Sequence, residues 1–126
     1  MSRRTRVVAA CAAVVLQVAV LYVPSAPAVP TGGVPLDKLV HVLVFALPTY
    51  ALVRAGMGRG LVVVLMVAQA LVSELVQAVA LADRSGDVAD LLADLVGVGI
   101  AVAVLRRRSP RASPRWDDPS HRAAPS

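Results

Sequence analysis

The chain has 126 residues, a formal net charge of +5 and a pI near 10.7. It is 57% hydrophobic with a mean hydropathy of +0.70, yet aromatics make up only 3%. Soluble domains are about half apolar and fill their cores with aromatics, so long runs of Val, Ala and Leu point instead to a membrane. The same arithmetic excludes intrinsic disorder over most of the length. A single cysteine, Cys11, excludes an internal disulfide framework and any CxxC zinc or redox pair. No basic patch is interleaved with stacking aromatics, so no nucleic-acid partner is expected.

Residues 1–6 form a short basic N-terminus. Four apolar segments follow, Val7 to Val23, Leu36 to Val53, Leu61 to Ala82 and Val88 to Leu105. At about 1.5 Å per residue, each crosses most or all of a roughly 30 Å hydrocarbon layer. Lipid offers no partner to unpaired backbone groups, so each segment is expected to be helical. The expected fold is therefore all-α, a polytopic membrane protein with a bundle of four transmembrane helices over residues 7–105. The first segment, with Ala26-Pro27-Ala28 behind it, also has the outline of a secretory signal peptide. Its apolar run exceeds a usual signal core, which favours a retained helix. Cys11 is expected there as a buried small hydrophobe.

Pro24, Pro27, Pro30, Gly32, Gly33 and Pro35 predict a stiff, irregular loop after the first helix. Gly56-Met57-Gly58-Arg59-Gly60 lacks the strand–loop–helix context of a phosphate loop and reads as a turn. Asp83 to Asp87 joins the third and fourth helices. Residues 106–126 collapse into Arg, Ser, Pro and Ala, a disordered basic tail. Arginine placement sets orientation. Arg3, Arg4, Arg6, Arg54, Arg59 and six tail arginines fall on one side of a four-span chain, and only Lys38 and Arg84 on the other. Both termini are thus expected in the cytoplasm, in a multi-pass arrangement.

Ionisable groups inside a span are costly, which makes them functional candidates. Asp37, Lys38 and His41 share an arc of the second helix that continues through Phe45 to Pro48. On the third, Gln69, Ser73, Glu74 and Gln77 occupy an arc of about 140°. Asp87, Asp90, Asp94 and Gly97 line one narrow face of the fourth. Asp83 and Arg84 sit at the mouth between the last two helices. Three stripes at one depth predict one pocket in the outer half of the membrane, with Gln69 and Ser73 reaching toward the middle. Asp90 and Asp94 are one turn apart, so either one is protonated or Lys38, Arg84 or His41 neutralises them.

Such a network also serves simply to fasten helices. Gln17, Gln69 and Ser73 read best in that way, and Asp37 with Lys38 reads equally as a cap and interfacial anchor. His41, Glu74 and Asp90 are the candidate catalytic groups, able to handle protons. Asp37, Lys38, Gln77, Arg84, Asp87 and Asp94 are the candidate ligand-binding groups, with Arg84 and Lys38 supplying contacts to an anion. No HxxxH or HExxH pair is present, so no metal is expected, and no cofactor is expected either.

The run Asp37-Lys38-x-x-His41-x-x-x-Phe45, then Glu74-x-x-Gln77, then Arg84-Ser85-x-Asp87-x-x-Asp90-x-x-x-Asp94-x-x-Gly97 resembles the VanZ-like family of small bacterial membrane proteins. The match covers roughly Leu36 to Leu105. The family often carries Asn where this chain has Asp94, and a Gly-containing turn where it has Ala82-Asp83. The resemblance implies the bacterial cytoplasmic membrane as compartment. It also implies a link to cell-envelope antibiotic resistance, since the family is named for an accessory protein associated with low-level resistance to the glycopeptide teicoplanin.

The leading expectation is an envelope protein whose outward pocket binds an anionic lipid headgroup or a lipid-linked cell-wall precursor. The alternatives are a membrane enzyme acting on such a lipid and a non-catalytic structural or interaction protein. An enzyme lacks an evident nucleophile, because neither Ser73 nor Ser85 has an assigned His partner. A proton-coupled carrier is disfavoured by four spans without inverted repeats and by polar groups confined mainly to one half.

Overall fold

The computed structural model describes residues 1–22, 36–80 and 88–108. These residues form four helices and no strand: α1 (Arg3–Tyr22), α2 (Leu36–Ala55), α3 (Arg59–Ala80) and α4 (Val88–Arg108). Each is long and apolar enough to cross a membrane. The segments 23–35, 81–87 and 109–126, with the expected Pro-rich loop, the Ala26-Pro27-Ala28 sequence, Asp83, Arg84, Ser85, Asp87 and most of the basic tail, lie outside the described residues. Residues 106–108, expected in the disordered tail, instead form the last turn of α4.

Local chemistry fixes the helix ends. Ser2 caps α1, its Oγ accepting the Thr5 backbone N–H at 3.1 Å, which draws Arg3, Arg4 and Arg6 into the first turn. Gly56, at φ +110°, ends α2 in a Schellman motif. Its N–H donates to the Val53 carbonyl at 3.1 Å, and Met57 N–H to the Leu52 carbonyl at 3.2 Å. The Gly58 carbonyl then accepts the first bond of α3 from Val62. The glycine-rich segment is a turn, as its context required. Within α2, Pro48 removes one backbone donor, while Thr49 Oγ1 donates to the Phe45 carbonyl at 2.6 Å.

Contacts between helices give the topology. Lys38 meets Asp90, His41 meets Asp94, and Tyr50 meets Arg108, so α2 and α4 run parallel. Gln17 meets Met66 and Leu21 meets Gln77, so α1 and α3 are parallel as well. The end of α1 (Val20, Leu21) adjoins the start of α2 (Asp37, Val40, His41), which makes consecutive helices antiparallel. The α2–α4 pair is the most extensively packed, followed by α1 on α2.

Gly97 explains that closeness. A Cβ there would collide with the Val42 carbonyl oxygen and come within 3.2 Å of the Ala46 nitrogen. The core beneath is built from Leu21, Val44, Phe45, Val62, Met66, Ala70 and Val98. It uses the chain's only phenylalanine, fully buried, and otherwise aliphatic and small residues, which suits helices that approach backbone to backbone. Leu39, Leu43, Leu47, Val64, Leu75, Val96 and Ile100 face outward. Cys11, expected among the buried hydrophobes, is also exposed, because the buried face of α1 runs through Ala10, Gln17 and Leu21 instead.

Replacing Gly97 with Val should force α2 and α4 apart and cost about 1–3 kcal/mol or more. At Gly99 an added Cβ would meet nothing within 4 Å, so Ala should be accepted there without loss. Thermal unfolding of the detergent-solubilised variants, followed by circular dichroism at 222 nm, checks both.

Candidate functional site

The close approach at Gly97 sets the polar residues of α2 against those of α4. Lys38 Nζ forms a tight ion pair with Asp90 Oδ1 and a second contact with Asp37 Oδ2 at 3.2 Å. One turn deeper, His41 Nδ1 lies 2.8 Å from Asp94 Oδ1, with both side chains buried. His41 Nε2 is 3.9 Å from Asp90 Oδ2, so the imidazole bridges the two aspartates. The i,i+4 repulsion between Asp90 and Asp94 is therefore met by one partner each from α2. With Asp94 ionised, His41 Nδ1–H donates to it, which leaves Nε2 facing Asp90.

Glu74 brings in α3. A carboxylate oxygen of Glu74, a ring nitrogen of His41 and an oxygen of Asp94 all lie within 4.8 Å of one another. The three stripes thus meet, and six of the nine candidate site residues share one cluster: Asp37, Lys38, His41, Glu74, Asp90 and Asp94. Gln77 is placed differently. Buried at 2% exposure, its Nε2 donates to the Leu21 carbonyl at 3.1 Å and fastens α3 to α1. Arg84 and Asp87 lie outside the described residues.

Of the residues expected to fasten helices, Gln17 joins two of them, whereas the Ser73 hydroxyl bonds within its own helix. Gln17 Nε2 reaches Met66 Sδ at 4.0 Å, again joining α1 to α3. Ser73 is fully buried, and its Oγ donates to the Ala70 carbonyl of its own helix at 2.9 Å. Among the described residues no hydroxyl is bonded to His41, and Ser85 lies outside them.

The sets His41–Glu74–Asp94 and Asp37–His41–Asp90 each offer three atoms close enough to surround a cation. In the first set, ligand atoms about 2.1 Å from a tetrahedral ion lie roughly 3.4 Å apart, so ligation through His41 Nδ1 and Asp94 Oδ1 would require their 2.8 Å bond to open. In the second, Lys38 already pairs with both carboxylates. Asp94 Oδ2 is a different matter. It is buried without a hydrogen-bond partner among the described residues, a state that costs about 1–3 kcal/mol unless water or a ligand supplies a donor. Beside the cluster, a cavity of about 180 Å³ is lined by Val20, Leu21, Asp37, Val40, His41 and Val44. Its walls are mainly aliphatic, with two polar groups.

The sequence pattern locates this cluster but gives no sign of the Leu21 carbonyl or the Val42 backbone as contact points. Backbone acceptors carry no residue-type signature. The comparisons add no relative: no family model, no curated protein and no solved structure matches the chain.

Asp94→Ala should destabilise the bundle by about 3–5 kcal/mol, because it strands His41 in the interior. Asp37, whose side chain is 63% exposed, should cost less than about 0.5 kcal/mol when changed to Ala. A double-mutant cycle on His41 and Asp94, read by denaturant unfolding in detergent micelles, should show a coupling of about 0.5–3 kcal/mol.

Proposed function

We propose that this chain is a VanZ-like multi-pass protein of the bacterial cytoplasmic membrane, with both termini cytoplasmic. Its acidic-end pocket faces outward and binds the polar head of an anionic lipid or of a lipid-linked cell-wall intermediate. The orientation rests on charge segregation. Arg3, Arg4, Arg6, Arg54, Arg59, Arg106, Arg107 and Arg108 occupy one end of the bundle, and the Asp, Glu, Lys and His residues of the cluster occupy the other.

One observation carries the binding role: a cavity with aliphatic walls is lined on its polar side by Asp37 and by His41, the residue that bonds buried Asp94. Such a cavity suits the junction between a lipid's head and its chains. Lys38 offers the anion contact. Its ammonium has three donors, and the one on exposed Asp37 is easily exchanged for a ligand phosphate. Arg84 is the second candidate cation.

Binding is favoured over an acyl-transfer enzyme because Ser73 is engaged with its own helix and His41 Nε2 faces Asp90. The family resemblance extends the proposal to glycopeptide tolerance. His41→Ala, Glu74→Gln, Arg84→Ala and Asp90→Asn test it. A binding role predicts near-normal membrane abundance for at least Glu74→Gln and Asp90→Asn, loss of the co-purifying lipid seen by native mass spectrometry, and greater teicoplanin sensitivity. Loss of folded protein in every variant would leave the cluster a helix fastener only. Reporter fusions at either terminus should report the cytoplasm.

A further inference from the structure

At the end opposite the polar cluster, a second cavity of about 330 Å³ is lined by Arg6, Val53, Arg54, Gly56, Arg59, Leu105 and Arg108. Each helix contributes one arginine. No carboxylate lines this cavity, and none of the four arginines is ion-paired among the described residues. We propose that this cavity is a binding site for a phosphate-bearing anion.

Helix ends account for only half of the arrangement. Arg54 and Arg108 sit in the last turns of α2 and α4, where a cation complements the helix dipole. Arg6 and Arg59 sit in the first turns of α1 and α3, where the dipole opposes a cation. Topogenic charge explains why arginines lie on this side, but any position along the chain ends would serve that purpose. It does not explain why four of them converge on one cavity. An anion between them removes both the mutual repulsion and the conflict with the two helix N-termini.

Two side chains are already arranged for such a ligand. Arg6 is half-buried, and its Nε is inaccessible to solvent with no acceptor among the described residues. Arg108 donates from Nη1 to Tyr50 Oη at 3.1 Å, with its guanidinium carbon 5.9 Å from the Tyr50 ring centroid. Holding Arg108 in place lowers the ordering cost of using its remaining donors. Planar guanidinium forks match phosphate oxygens in pairs, and the cavity volume lies within the roughly 300–1,000 Å³ of small-ligand pockets. Both a phospholipid headgroup and a soluble polyphosphate present this chemistry.

The test uses the full chain in phosphatidylcholine nanodiscs. Inorganic pyrophosphate is titrated calorimetrically, and retention of added phosphatidylglycerol is measured separately by native mass spectrometry. Saturable pyrophosphate binding identifies a soluble ligand class, and phosphatidylglycerol retention alone identifies a lipid headgroup. In either case Arg6→Gln with Arg59→Gln should weaken binding about tenfold or more. Arg3→Gln with Arg4→Gln removes the same charge from the same end without touching the cavity, and should change it less than about twofold. Should the first pair fail to fold, Arg54→Gln alone is the substitute, since Arg54 is exposed. Retention of neither probe, or equal weakening by the cavity and control pairs, would overturn the site.

Discussion

With no side chain at residue 97, α4 meets the backbone of α2 at Val42 and Ala46, and the polar end of the molecule is built on that contact. Parallel helices held this close bring residues of matching height face to face. Lys38 therefore reaches Asp90, and His41 reaches Asp94, each within a turn or two of Gly97. Widening the pair by a single methyl group would lengthen both polar contacts at once. In a lipid surround, where burial of apolar surface gives little drive for helices to associate, such close packing and the hydrogen bonds it permits are the main attractive terms.

Those hydrogen bonds also decide how the charges are tolerated. Two aspartates one turn apart on a buried face repel each other and are expensive to desolvate. Each is matched by a cationic or proton-donating group from α2, and His41 touches both. One oxygen of Asp94 remains unmatched among the described residues, a surplus acceptor that water, a ligand or a residue outside them would meet. Gln17 and Gln77 behave differently: each spends an amide donor on an acceptor of a neighbouring helix and adds no open valence at that donor.

Much of this arrangement is legible in the sequence. Four apolar runs become four helices because hydrophobic length is a strong signal, and glycine chemistry accounts for the α2–α3 turn. The convergence of Asp37, Lys38, His41, Glu74, Asp90 and Asp94 follows from helical periodicity together with the matched depth of the three stripes. Gln77 shares the polar face of α3 with Glu74, yet its amide turns to a backbone carbonyl of α1. Nothing in residue types marks that acceptor. Cys11 departs from expectation for a related reason: α1 is apolar almost all round, so periodicity does not say which side meets the bundle. The arginine-lined cavity is hidden as well, since the sequence shows the sign of the charge at that end but not that one arginine from each helix meets in space.

The central claim, that the Gly97 contact holds His41 against Asp94, is open to a direct measurement. The chain has two histidines, so replacing His121 leaves His41 as the sole imidazole. Magic-angle-spinning NMR of this protein in bilayers, with ¹⁵N-labelled histidine and ¹³C-labelled aspartate carboxyls, reports the His41 Nδ1 to carboxyl distance. The 2.8 Å Nδ1–Oδ1 contact predicts strong dipolar dephasing that disappears when Gly97 is changed to Val. No dephasing in the Gly97 protein, or the same dephasing in both proteins, would contradict the account.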